Sequence, residues 1–180
     1  LERFTATATS SAALESYDAG SSNEISEAIA KHIAALIPNG ATLQIGLGKI
    51  PSQLLAALSE HRELGFHTGM LSDSVLPMAS NGSLRKENAL TTAVFVGSEN
   101  LYQQLPTLNS LNIAGAEFTH DPAVLVNIPK LHSINSALEV DILGQVNAET
   151  LNNKYVSAPG GLPDFAAAAS RQQDGLSIVA

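Results

Sequence analysis

The chain has 180 residues with 17 acidic and 9 basic side chains, a formal net charge of −8, which argues against a surface built to hold a phosphate backbone; nucleic acid is not an expected partner. Only 14% of residues are charged and 44% are apolar, with few aromatics; an ordinary soluble domain carries roughly 25% charge, so the shortage points to extensive burial or to surface covered by a partner segment. Cysteine is absent, which excludes disulfides, thiolate metal sites and thiol nucleophiles and is compatible with a reducing compartment.

The length suits one domain, or part of a larger one. No apolar run approaches the roughly 18 residues of a membrane helix, and the polar stretch Thr5–Ser11 lacks the basic start and apolar centre of a secretory signal. The expected setting is therefore cytoplasmic, with no membrane partner. The chain begins at Leu1 and ends within the strand-like run Leu176–Ala180, so both ends read as those of a piece of a longer protein.

Residues 1–22 are rich in Ser, Thr and Ala without a sustained period and read as a linker or arm; the folded domain is expected over 23–180. From Asn23, the positions Ile25, Ile29, Ile33, Leu36 and Ile37 recur at helical spacing. Ser21 with Glu24 resembles a capping box, and Pro38-Asn39-Gly40 ends the run. Thr42–Ile45 predicts a short strand, Gly46-Leu47-Gly48 a turn, and Leu54, Leu55 and Leu58 a helix whose first turn suits Pro51. Further strands are predicted at Phe66–Met70, Thr91–Val96 and, by alternation, Ala137–Leu143. Tyr155-Val156, the turn Ser157–Gly161, a helix over Pro163–Ser170 and the terminal strand follow. Strands alternating with helices imply an α/β fold, an open, largely parallel or mixed sheet with helices on both faces.

Several motifs sit where chemistry is possible. Gly46-x-Gly48 lies on a strand-to-helix turn, where backbone amides can hold an anion or admit a ligand. It lacks the third glycine of a dinucleotide fingerprint and the ending of a phosphate loop, so a tight turn is at least as good an explanation. Gly160-Gly161, ahead of a helix near Asp164, offers a second nest of amides suited to an oxyanion on a thioester carbonyl; a flexible turn with Asp164 favouring the helix start is an equal alternative. His67 falls where a strand ends and α/β sites lie, although a hydrogen-bonded structural histidine is the commoner role. The histidines at 32, 61, 67, 120 and 132 show no ligand spacing, so no metal is expected. Asn135 and Glu139-Val140-Asp141 lie on the most strand-like stretch, where a carboxylate is more often a structural partner than a base.

The order of these motifs resembles the acetyl-CoA hydrolase/transferase family, which includes acetate, butyrate and 4-hydroxybutyrate CoA-transferases. The likeness runs through Gly40–Pro51, Leu64–Asp73, Phe95–Tyr102 and, most specifically, Ile134–Asn147, then Gly160-Gly161 with Asp164-Phe165. It implies the C-terminal half of a two-domain enzyme whose halves are similar open, Rossmann-like α/β sheets, truncated here at its C-terminal end and lacking the N-terminal half. It further implies an acyl-CoA and a small carboxylate as substrates, coenzyme A as substrate with no cofactor, a missing domain or partner chain, and assembly as a homodimer. In such enzymes a glutamate attacks the thioester and a glycine-rich turn supplies an amide to the oxyanion; that amide role falls on Gly161, with Gly46, Gly48, Gly69, Gly160 and Asp164 as CoA-binding positions.

The sequence departs from the family at the site. Gly69 stands where the nucleophilic glutamate is usual, His120 where an asparagine is common, and the neighbours of the Gly160-Gly161 pair are altered. Three readings follow. The first is an acyl-CoA hydrolase or transferase without a covalent glutamate, with His120 as general base and Gly161 at the oxyanion. The second is a catalytically inactive CoA-binding module or subunit. The third, a transferase using Glu139, ranks last because the family keeps that glutamate beside its usual nucleophile.

Overall fold

A computed structural model describes residues 5–17 and 20–180. In chain order the elements are α1 (Glu24–Ala34), β1 (Thr42–Ile45), α2 (Lys49–Ala57), β2 (Gly65–Leu71), α3 (Val75–Ser80), β3 (Leu90–Phe95), α4 (Glu99–Gln104) and β4 (Leu111–Ile113). Two short helices follow, α5 (Ala116–Thr119) and α6 (Pro122–Leu125), then β5 (Leu131–Asn135). After them come the paired ribbons β6 (Glu139–Val140) with β7 (Val146–Asn147) and β8 (Thr150–Leu151) with β9 (Lys154–Tyr155), and finally α7 (Leu162–Ser170) and β10 (Leu176–Val179).

Helix α1 starts where its apolar spacing places it, but a different pair caps it. Asn23 is extended, its side chain accepts from the Ser26 amide at 2.8 Å, and Ser26 Oγ accepts from the Asn23 amide at 3.1 Å. The capping box is therefore Asn23/Ser26 in place of Ser21/Glu24, and Glu24 falls in the first turn, where the helix dipole favours a carboxylate. Ile33 and Ile37 of the apolar stripe are buried, whereas Ile25 and Leu36 are exposed.

Six strands form one sheet in the order β10-β5-β1-β2-β3-β4, and every pairing is parallel. Leu43, Ile45, Phe66 and Ile134 point into the larger core, together with Ile33, Leu54 and Met78 of α1, α2 and α3. On the opposite face Leu131 joins Leu125, Phe165, Ala168 and Ala169 from α6 and α7 in a smaller core. The α/β class with helices on both faces is thus as expected.

The predicted strand at 137–143 is not a sheet strand. The fifth sheet strand is Leu131–Asn135, and only Glu139–Val140 of the predicted run pairs, antiparallel, in a ribbon outside the sheet. The reason is burial: β5 is covered on both faces along its whole length, so it carries no polar-apolar alternation, while the alternating run beside it has its apolar side chains exposed. The chain steps from β1 through β2 and β3 to β4 and then returns to the other side of β1. This reversal opens a gap at the carboxyl ends of β1 and β5, where open α/β sheets bind ligands. Among the described residues no helix is long and apolar enough to cross a membrane.

Candidate active site

A cleft of about 460 Å³ sits at that reversal, lined by Gln44 and Gly46 from β1 and its turn, Gly69 from β2, His120, Asn135 and Gly161. Its floor is a closed polar network. Gln44 Nε2 donates to Asn135 Oδ1 at 3.2 Å; Ser133 Oγ and Asn135 Nδ2 donate to Gln44 Oε1 at 2.7 and 3.0 Å. Parallel register places Gln44 beside Ser133, so three buried polar side chains hydrogen-bond to one another.

His120 ends α5 and projects into the cleft between two glycines. A Cβ built on Gly69 would lie 2.8 Å from its Cε1 and 2.9 Å from its Nε2, and one on Gly161 would lie 2.7 Å from Nε2. Both are shorter than real Cβ contacts allow, so the imidazole occupies volume that any other residue at either position would need. Thr119 Oγ1 lies 2.9 Å from Nδ1, and Phe165 packs edge-on against the ring at a centroid distance of 5.1 Å. Nε2 is the nitrogen that faces the glycines.

Gly160 and Gly161 precede α7, with Gly160 at φ +54° and Gly161 as the N-cap residue without a side-chain cap. Gly160 has no atom within 4 Å of an added Cβ, so its glycine is explained by the left-handed backbone alone. The start of α7 thereby presents amides and the positive end of its dipole to the cleft.

His67 lies one layer deeper. It is buried, its Nε2 is 3.0 Å from the Thr119 carbonyl, and its ring is bracketed by Phe118 and Phe165. Burial holds its pKa below the ordinary histidine value, the hydrogen bond to Thr119 partly opposes this, and the neighbouring His120 lowers it further. His67 is accordingly held neutral as a hydrogen-bond donor.

Of the positions singled out from sequence, Gly46, Gly69, His120, Gly160 and Gly161 all line one cleft. Gly48 and Asp164 do not. Gly48 is the N-cap of α2 at φ +126°, a conformation that accounts for its glycine, and Asp164 is exposed in the first turn of α7. Glu139 is exposed in the β6 ribbon and accepts from Asn147 Nδ2, away from the cleft lining. Asp141 accepts from the Gln145 and Leu143 amides within the same ribbon, and those bonds, the Gln145 amide foremost, lower its pKa. Among the described residues no group of histidines and carboxylates converges as metal ligands. Sequence reading missed Gln44, Thr119 and Phe165; the one available signal was a glutamine inside the otherwise apolar strand Leu43-Gln44-Ile45.

A model of the acetyl-CoA hydrolase/transferase C-terminal domain matches residues 97–180. Residues 97–180 belong to this family. The 4-hydroxybutyrate coenzyme A transferase of Clostridium kluyveri is 30% identical over 163 residues, 87% of this chain and 38% of that protein. The butyryl-CoA:acetate CoA-transferase of Anaerostipes caccae is 34% identical over 168 residues, 89% of this chain and 38% of that protein. Among solved structures, 4-hydroxybutyrate CoA-transferase from Porphyromonas gingivalis superimposes with a TM-score of 0.72 at 31% identity, covering 86% of this chain and 38% of that one. RipA from Yersinia pestis does so with a TM-score of 0.81 at 26% identity, over 92% and 39%. The chain therefore spans somewhat over a third of the length of these four relatives.

Proposed function

We propose that this chain is the C-terminal domain of an enzyme that hydrolyses short-chain acyl-CoA thioesters by direct attack of water. The observation that carries the reading is the imidazole of His120 seated between Gly69 and Gly161, at the start of α7. In this reading His120 Nε2 takes a proton from a water in the cleft while the water oxygen bonds to the thioester carbonyl carbon. Negative charge developing on the carbonyl oxygen meets the Gly161 amide, in the field of the α7 N-terminus. Collapse breaks the carbon–sulfur bond, the His120 imidazolium returns its proton to the CoA thiolate, and a carboxylic acid and free CoA leave. Gly69 supplies no side chain, so no acyl-enzyme forms there.

With a net charge of −8, the CoA phosphates meet backbone amides in place of a basic patch on this domain. The relatives' greater length supports a further domain or partner chain that completes the acyl-CoA site; a homodimer as the assembled form and the cytoplasm as its setting belong to the proposal without support from that length. The test is a thiol-release assay on the full-length protein with acetyl- and butyryl-CoA. His120→Ala is expected to lower turnover by about 10²-fold or more. Unchanged turnover in that variant removes His120 from the reaction, and saturable CoA binding without product would make the domain a non-catalytic binding module.

A further inference from the structure

We propose that Thr119 is the positioning residue of this cleft: its hydroxyl holds His120 in the tautomer that leaves Nε2 unprotonated toward Gly69 and Gly161, and His67 clamps Thr119 by its carbonyl. The tautomer and its catalytic consequence rest on the hydrolytic reading above; the contact between Thr119 and His120 does not.

Thr119 is fully buried, so its hydroxyl must find partners within the chain. Two lie in reach, Nδ1 of His120 at 2.9 Å and the Gly115 carbonyl at 3.4 Å. A carbonyl can only accept, and one hydroxyl hydrogen cannot serve both partners. Donation to Gly115 leaves the oxygen lone pairs turned to His120, and Nδ1 then carries the hydrogen that both can share. The alternative, donation to Nδ1, would place a hydrogen on Nε2 inside the glycine slot, where the hydrolytic reading needs a base.

The backbone of Thr119 is fixed from the other side. His67 Nε2 faces the Thr119 carbonyl at 3.0 Å; because that oxygen can only accept, His67 holds its hydrogen on Nε2. Its 7% exposure and the rings of Phe118 and Phe165 on either side leave it little freedom. The Thr119 amide donates to the Gly115 carbonyl at 3.0 Å, and branching at Cβ restricts its rotamer. Two histidines thus flank one threonine, the inner on its carbonyl and the outer on its hydroxyl. Histidine roles are commonly set in this manner, by the partner of the nitrogen that does not react.

The experiment is nitrogen-15 NMR of the histidine rings in the full-length protein, at a pH where His120 is neutral, on wild type, Thr119→Ser and Thr119→Val. Wild type and Thr119→Ser are expected to carry the His120 hydrogen on Nδ1; Thr119→Val, which keeps the shape and loses the hydroxyl, shifts the population toward Nε2–H. In thiol release, Thr119→Val lowers kcat by at least about ten-fold while KM changes less than about two-fold, and Thr119→Ser restores kcat. A wild-type His120 protonated on Nε2 overturns the proposal, and so does an unchanged tautomer in Thr119→Val. If Thr119→Val does not fold, the wild-type spectrum decides the tautomer alone. The expected tautomer in a protein without turnover sinks the hydrolytic reading and sustains the positioning role; turnover with an unchanged tautomer in Thr119→Val does the reverse.

Discussion

Gly69 and His120 exclude each other's alternatives. A glutamate introduced at position 69 must project its Cβ into the His120 ring at under 3 Å, and the ring cannot retreat freely, because Gly161 lies on its other side and Phe165 against its edge. Gly69→Glu alone is therefore expected to destabilise the protein by about 1–3 kcal/mol, as overpacking does, and to confer no carboxylate-dependent CoA exchange. Pairing it with His120→Asn removes the obstructing ring and recovers most of that stability. Thermal denaturation and an exchange assay on both variants check this; exchange in Gly69→Glu alone would mean that the imidazole can vacate the slot. The sequence reading treats Gly69 and His120 as two separate features, and their contact couples a change at one to the other.

At the scale of elements, legibility followed burial. The strand at 65–71, the helix at 162–170 and the terminal strand were readable because Gly65, Gly160-Gly161 and Gly175 mark their starts. The strand at 131–135 was not, since His132, Ser133 and Asn135 make a fully buried strand look polar until their partners across the sheet are known. For the same reason the cleft's glycines and His120 were visible in the sequence, whereas Gln44, Thr119 and Phe165 act through contacts between segments far apart in the chain. Phe165 illustrates the dependence. It fills the smaller core at 1% exposure and touches both His67 and His120, so Phe165→Ala should cost about 3–5 kcal/mol in chemical denaturation; a cost under about 1 kcal/mol would show that α7 is held by other contacts. His67 gives this layer a pH response. Its folded pKa lies below the ordinary 6.5, so as pH falls through that value the unfolded chain takes up a proton that the folded chain refuses. Its contribution to stability is full above pH 6.5 and is lost below it, at no more than about 1.4 kcal/mol per pH unit. Urea denaturation at about pH 7.5 and about pH 5.5 should show a smaller difference in His67→Gln, which keeps a donor for the Thr119 carbonyl without titrating; an equal difference would assign the slope to other groups.

At the scale of the molecule, the shortage of charge has a measurable counterpart. The accessible surface is 10952 Å², while a compact monomer of 18.7 kDa should expose about 8,300 Å². The excess is of the order that one large interface covers. Part of it lies in the exposed stretch 5–16 and part in the ribbons after β5, where Leu138, Val140, Ile142, Leu143, Tyr155 and Val156 are exposed, Ile142 completely. Those ribbons join β5 to α7 and so border the cleft through Ala148 and the 157–161 loop. We expect a surface of that kind to be covered by a further domain or partner chain, and covering it would also wall the cleft proposed to take acyl-CoA. Hydrogen exchange should therefore be fast across 138–156 in the 180-residue chain and markedly slower in the longer protein. Replacing both Ile142 and Leu143 with lysine should leave the stability of the 180-residue chain within about 0.5 kcal/mol, as for exposed sites without partners, yet restore fast exchange at 138–156 in the longer protein. If the double substitution instead unfolds the 180-residue chain, the ribbons pack on their own domain and the excess surface has another owner.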